Sequence, residues 1–236
     1  ERLKTKLFTI INFVLNCAKS YRDVPYHNWF HAISATHFSY LLLTNCPLDK
    51  YLTQLQRDML FVACLCHDID HRGTNNAFQQ VSQSTLAALY SSEGSILERH
   101  HLAQTMCLLN VSSCAILQHL SESDYREAAD LLSHIILITD IANHVKKMPE
   151  MEAIAKPNVF DKNNTEHQYH LLGLLMTCSD LSQVTKPLKT ALAICELIRE
   201  EFHQQGDAEK LRGHTPHPMM DRSQSNLPNE QIGFIK

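Results

Sequence analysis

Apolar residues recur at helical spacing along most of the chain. Between residues 3 and 18, Leu7, Ile10, Ile11, Val14 and Leu15 share one helical face. Asp23 and Pro25 give a helix-start signal. A second helix is expected over 27–43, carrying Phe30, Ile33, Ala35, His37, Leu41 and Leu42 and broken by Pro47. Residues 52–67 read as a third, strongly apolar helix, and 68–76, with Gly73 and Asn75-Asn76, as a loop. Further helices fit 77–90, 96–109, 113–119, 124–145, 166–181 and 187–204. After Gly206 the pattern lapses. Residues 213–230 hold Pro216, Pro218 and Pro228 among many Ser, Asn and His, so a mobile loop with little structure of its own is expected there. Residues 231–236 read as the start of a helix cut short. No alternating run of useful length and no internal repeat is present. The expectation is an all-α fold, a compact multi-helix domain spanning 1–236.

Composition sharpens this picture in a few places. With 6 Gly and 8 Pro in 236 residues, turn punctuation is too sparse for a strand-rich fold. The net charge of −4 argues against a nucleic-acid partner, which needs clustered positive charge. It does not argue against a small phosphate ester, because bound metal ions can supply positive charge. No run of 18 apolar residues exists, so no membrane span is expected. The 8 cysteines lie mostly in apolar helical text and form no CxxC pair. They read as buried, reduced thiols of a cytoplasmic protein, with any membrane association left to segments outside this chain. Histidine is the outlier, at 15 residues, several within four positions of an acid or another histidine.

The histidines fall into clusters. His27-Asn28-Trp29-Phe30-His31 sets two at i and i+4, about 6 Å apart on one helical face. That spacing serves one metal ion, or one ion plus one proton donor, and also arises by chance. His67-Asp68-Ile69-Asp70-His71 follows a buried apolar helix, so its titratable groups emerge at the edge of the core. Metal binding is a common remedy for such charges, and a solvated helix end is the alternative. Asp180 closes another apolar run, as a ligand or as one polar position on an amphipathic helix. Glu98-Arg99-His100-His101 and Thr139-Asp140 are ordinary taken singly. Together, His31, His67, Asp68 and Asp180 give a two-His, two-Asp set suited to zinc. Asp68 could bridge to a second ion, for which magnesium is suited. Two such ions can clamp a phosphoryl group for in-line attack.

The text Tyr26-His27-Asn28-Trp29-Phe30-His31-Ala32 and His67-Asp68-Ile69-Asp70-His71-Arg72-Gly73-Thr74-Asn75-Asn76 resembles the class I cyclic nucleotide phosphodiesterases. The likeness continues through Leu97-Glu98-Arg99-His100-His101, Thr139-Asp140, Asp180-Leu181-Ser182, Gln205-Gly206-Asp207 and Gln231-Ile232-Gly233-Phe234, in order and across nearly the whole chain. It implies an HD-type metal-dependent phosphohydrolase fold. The implied reaction is hydrolysis of cAMP, cGMP or both to the 5′-monophosphate, by a hydroxide bridging two metals and a histidine general acid. By resemblance, His31, His67, Asp68 and Asp180 hold Zn2+, and Asp68 also contacts Mg2+ or Mn2+. His71, Glu98 and Thr139 are implied to hold that ion's waters. His27 is implied as the acid, with Glu98 as the carboxylate that orients it. Gln231 is implied as the purine-binding glutamine, with Phe234 and Ile198 as an apolar clamp and Tyr26 beside the substrate.

Tyr21-Arg22-Asp23-Val24-Pro25-Tyr26 and the run from Leu86 to Ser95 are similar to the cGMP-stimulated, dual-specificity branch. That kinship implies regulatory domains before the catalytic one and a homodimer in the full-length protein. The chain begins 26 residues before His27 and ends two residues after Phe234, so early helices and a final helix of the family are expected to be missing. Gln183 stands where some cAMP-specific members carry Asn. Another HD-type nucleotide phosphohydrolase and a non-catalytic cyclic-nucleotide-binding relative are the alternatives. Neither explains the whole set of Tyr26-His27-Asn28, Gln231 and the four ligand candidates.

Overall fold

The computed structural model describes residues 5–90, 94–156 and 159–235, with the backbone alone for Phe234 and Ile235. Among the described residues every regular element is helical, as expected. In chain order the α-helices are α1 (Leu7–Ser20), α2 (Trp29–Asn45), α3 (Gln54–Cys66), α4 (Asn76–Val81), α5 (Thr85–Tyr90) and α6 (Ile96–Leu109). They continue with α7 (Glu122–Leu137), α8 (Ile141–Ile154), α9 (Thr165–Asp180), α10 (Leu188–Leu211) and α11 (Leu227–Ile235).

The core is organised around α3, which packs against α2, α6, α7 and α9. Its start is fixed by Thr53, whose hydroxyl accepts the Gln56 N–H while the Gln56 amide oxygen accepts the Thr53 N–H. Beyond that box every residue from Met59 to Cys66 except Phe61 is buried. Leu131, Leu132, Ile135 and Ile136 of α7 and Leu172 and Met176 of α9 complete the centre. Full burial of one such side chain stabilises by about 1.5–3 kcal/mol. The end of α3, where His67 and Asp68 emerge, is therefore attached to the packed core.

Several expected helices differ in the structure, each for a local reason. The span 77–90 is two helices, because Gln83 takes φ 49 and the Ser84 hydroxyl accepts the Ala87 N–H to start α5. The span 124–145 is also two. Asp140 leaves the helical region and its carboxylate accepts the Ala142 N–H, capping α8. From there α8 runs on through Pro149, and Met151 beyond the proline is buried against Gly173 of α9. Of 113–119 only a 3-10 turn at Ser112–Cys114 forms, since Ala115 departs from helical torsions. Helix α10 extends past 204 to Leu211.

Residues 213–230 are more structured than expected. A 3-10 turn spans Pro218–Met220, and α11 starts at Leu227. Asp221 pairs with Lys210 at 2.6 Å and accepts the Ser223 N–H, while Arg222 reaches Glu200 and Asp207 of α10 at 2.8 Å. Gly206 makes the close approach feasible: a Cβ there would lie 1.9 Å from the Met220 carbonyl oxygen. All eight cysteines are free thiols. No helix among the described residues is long and apolar enough to cross a membrane.

Candidate active site

Four ligand-type atoms converge where α2, α3 and α9 meet. His31 Nε2 lies 3.1 Å from His67 Nε2, 3.0 Å from Asp180 Oδ1 and 3.3 Å from Asp68 Oδ2. His67 Nε2 lies 3.2 Å from Asp68 Oδ2 and 3.3 Å from Asp180 Oδ1. Such separations are what ligands about 2.0–2.2 Å from one shared ion adopt. His67 Nδ1–H donates to the Cys64 carbonyl at 3.0 Å, which leaves the Nε2 lone pair facing the cluster. Burial opposes a charge on His67, yet the Asp68 and Asp180 carboxylates hold its pKa well above the usual histidine value. A cage that draws a proton this strongly draws a divalent cation for the same reason.

Asp180 is the last residue of α9, where a carboxylate faces the negative end of the helix dipole. Burial also works against its charge, and His67 and His31 nevertheless hold its pKa below the ordinary carboxylate range. Asp68 behaves alike: burial opposes its charge, and His67 and His31 keep its pKa low.

Asp68 faces a second group through its other oxygen. His101 Nδ1–H donates to the Ile69 carbonyl at 2.7 Å, so its Nε2 lone pair stands 3.8 Å from Asp68 Oδ1. Burial pushes His101 down to about 4, so the ring is neutral. Two acceptors facing each other need a cation or a hydrogen-bond donor between them. Asp68, His71 and His101 together form a ligand-type group distinct from that of His31, His67 and Asp180. One carboxylate thus touches both places, as a bridging ligand would.

His27 lies against this pair of groups. It does not share the α2 helix with His31 as the spacing suggests. Asn28 caps α2 by accepting the Phe30 N–H, and His27 precedes the cap, with ring centroids 5.6 Å from His31 and 4.1 Å from His71. The carboxylate hydrogen-bonded to it is Glu201 on α10, not Glu98. Glu201 takes the His27 Nδ1–H in a very short contact and accepts the backbone N–H groups of Tyr26 and His27 at 2.9 and 3.0 Å. Glu98 instead accepts from the Asn76 amide at 2.9 Å. Burial disfavours a charged His27, but the Glu201 hydrogen bond, with help from Asp68, pushes its pKa up to about 9. Burial works against a charge on Glu201 as well, and His27 brings it down to about 2. The two form a proton-holding pair whose Nε2–H is left for another acceptor.

The other expected residues divide by position. His71 accepts the Gly73 N–H on Nδ1 at 3.1 Å, and burial, with a positive His27 beside it, depresses it to about 3. Neutral His71 keeps Nε2–H as a donor. Burial raises Glu98 to about 7, so near neutrality it both donates and accepts. Tyr26 lies with its ring 4.7 Å from both His27 and His31. The Thr139 hydroxyl donates to Ile136 at 2.7 Å within its own turn and is not tied to the cage. Ile198 is half-buried on α10, three residues before Glu201, and Gln231 is half-buried on α11. The described contacts do not join Ile198 to Gln231, and the Phe234 side chain lies outside the described residues. Glu201 is the residue that sequence reasoning missed. It sits in the charged run Arg199-Glu200-Glu201, which reads as a solvated face. Nothing in that run separates Glu201 from Glu200.

The family model described as 3′5′-cyclic nucleotide phosphodiesterase matches residues 26–236. A Caenorhabditis elegans protein described as a probable 3′,5′-cyclic phosphodiesterase, pde-5, is 42% identical over 96% of this chain and 31% of its own length. A cGMP-specific 3′,5′-cyclic phosphodiesterase of Drosophila virilis is 40% identical over 96% of this chain and 25% of its own. The solved structure of LmjPDEB1 in complex with IBMX superposes with a TM-score of 0.94 at 35% identity, covering 99% of this chain and 70% of that one. The chain spans a third or less of the length of the curated relatives it matches.

Proposed function

The chain belongs to the 3′5′-cyclic nucleotide phosphodiesterase family, with its HD-type all-α phosphohydrolase fold, and from that premise we propose that it hydrolyses the 3′ ester of a 3′,5′-cyclic nucleotide. The observation that carries the proposal is the placing of the His27–Glu201 pair beside the cage of His31, His67, Asp68 and Asp180. Zn2+ fits that mixed nitrogen and oxygen set. Mg2+ or Mn2+ fits the second place, where Asp68 supplies a carboxylate and His71, His101 and Glu98 offer partners for water. When bound, such ions supply positive charge to the phosphoryl oxygens and acidify water.

The protein's own residues supply the rest. Water forms the new bond to phosphorus as the P–O3′ bond breaks, and the leaving alkoxide is a poor one. His27 is charged at neutral pH because Glu201 holds it so, and its Nε2 proton passes to O3′. Glu201 then stabilises the ring in the tautomer that keeps Nδ1–H. Neutral His71 and His101 order water around Asp68 without adding charge, and Glu98, near its midpoint, can donate or accept there. Gln231 on α11 and Ile198 on α10 are the proposed purine contacts, completed by Phe234. Thr139 takes part only through water.

The names of the fly relatives make cGMP the first substrate to test, and the sequence likeness to a dual-specificity branch makes cAMP the second. Free thiols suit a cytoplasmic setting. Homodimerisation, if it operates through regulatory regions outside this chain, belongs to the longer protein. The deciding experiment incubates the purified chain with each cyclic nucleotide, with and without Zn2+ and Mg2+, and follows the 5′-monophosphate. Binding without turnover would support the non-catalytic alternative. Turnover of other nucleotide phosphates with cyclic substrates untouched would support another HD-type hydrolase.

A further inference from the structure

Asp70 adopts φ 63, a left-handed backbone that a side chain resists, two residues after the bridging carboxylate Asp68. Glycine would hold that torsion without strain, as Gly73 does nearby at φ 69. The aspartate is explained by its contacts. Arg22 Nε lies 2.6 Å from Oδ1, His100 Nε2 lies 2.7 Å from Oδ2, and Arg72 Nη2 stands 3.5 Å from Oδ2. The Asp70 N–H donates to the Ser20 carbonyl at 2.9 Å.

These contacts join three parts of the site. Arg22 lies in the segment that leads to Tyr26 and His27. His100 belongs to α6, whose next residue, His101, grips the Ile69 carbonyl of the same loop. Tyr21 adds a parallel tie, donating to the Leu65 carbonyl at 3.0 Å and accepting the Asp68 N–H at 3.3 Å. The loop that presents His67 and Asp68 is thus held from α6 on one side and from residues 20–22 on the other.

We infer that Asp70 is a positioning residue: its carboxylate, clamped between Arg22 and His100, holds the His67–His71 loop in the geometry that binds metal and in register with the segment carrying His27. This rests on the two-ion reading of the site. Outer partners of metal ligands typically change metal affinity by about 10–100-fold when removed, and a brace on the ligand loop should act in the same range. A residue that merely supports the fold would change the folded fraction and leave metal affinity alone.

The test uses Asp70→Asn, since asparagine tolerates the left-handed backbone while losing the charge, and Arg22→Ala, whose side chain is half exposed and whose loss spares the core. Zn2+ affinity of each metal-stripped protein is measured in competition with a chromophoric chelator, beside a thermal melt. Both variants should bind Zn2+ about 10–100-fold more weakly than wild type. The double variant should be little worse than either single one, because the two residues share one interaction. Folded variants that bind Zn2+ within about two-fold of wild type overturn the inference, whether or not they melt earlier. Should Asp70→Asn fail to fold, Arg22→Ala decides alone. A wild-type chain that takes up no Zn2+ instead overturns the metal reading, and the brace with it.

Discussion

Glu201 holds His27 at two places at once: one carboxylate oxygen takes the ring Nδ1–H, and the other accepts the His27 backbone N–H at 3.0 Å. The residues are 174 apart in sequence, so α10 sets where the proposed acid stands. With both ring and backbone fixed, the ring cannot rotate without breaking a bond to a buried carboxylate. A charged hydrogen bond of this kind is among the stronger polar contacts in a protein.

Replacing the acid tests this directly. His27→Ala should lower turnover by about 10²–10⁴-fold, the usual span for a positioned acid or base. Its metal content should stay near wild type, since His27 is outside the cage. Elemental analysis beside kinetics makes the check. Loss of metal together with activity would mean that His27 is a ligand.

The pH dependence follows from the sign of the shift. His27 is raised from 6.5 to about 9, so its proton is present below that value and lost above it. The matching contribution to fold stability is full below about 6.5 and fades as pH rises through about 9. Activity should therefore fall on the alkaline side. Glu201→Gln removes the main interaction that raises the pKa, so that limb of the kcat/KM profile should move toward acid by at least about one unit. An unmoved limb would assign the titration to some other group.

The cage was legible in the sequence because its chemistry is concentrated. His67 and Asp68 are adjacent, and they follow a helix too apolar to be anything but core. His31 and Asp180 each interrupt apolar text. The acid's partner was not legible, because Glu200 and Glu201 are adjacent acids on a mostly polar helix. Only the fold shows that Glu201 turns inward while Glu200 meets Arg222 outside. The break between α7 and α8 was hidden for a related reason: Asp140 acts as a cap through its side chain, and the apolar pattern runs across it. The segment 213–230 read as loose because its ties are ionic and lead back to α10, where periodicity carries no signal.

Metal removal should be graded by ligand. His31→Ala and Asp180→Ala each take one donor from the cage, so metal and turnover should be lost together. Treatment with a strong chelator should abolish activity in wild type, and added Zn2+ with Mg2+ should restore it. Activity that persists in chelator, with no metal found by elemental analysis, would remove the metal from the proposal.

The 218–221 turn offers a stability test away from the chemistry. Gly206→Ala would put a Cβ against the Met220 carbonyl, a backbone group that cannot rotate away. The expected loss is about 1–3 kcal/mol, the range for overpacking, or several degrees of Tm. Gly233→Ala, which meets nothing within 4 Å, is the control and should leave Tm nearly unchanged. Equal melting of the two variants would mean that the turn shifts freely and does not clamp α10.

Nucleotide choice depends on how far the Gln231 amide is free to turn. In the proposed reading the base packs on Ile198, which lies three residues before Glu201 on α10. Gln231 and Phe234 are three residues apart on α11, close enough to share a helix face. Adenine and guanine present opposite donor and acceptor patterns at the edge an amide would meet, and one glutamine satisfies either only in the matching orientation. A free amide gives similar kcat/KM for cAMP and cGMP. A pinned amide leaves one purine with unpaired groups, and discrimination then exceeds about 100-fold. Steady-state kcat/KM for cAMP and cGMP decides between the two. If the ratio shows a pinned amide, Gln231→Ala should weaken the preferred nucleotide most and bring the ratio toward one. Equal losses for both would take Gln231 out of selectivity.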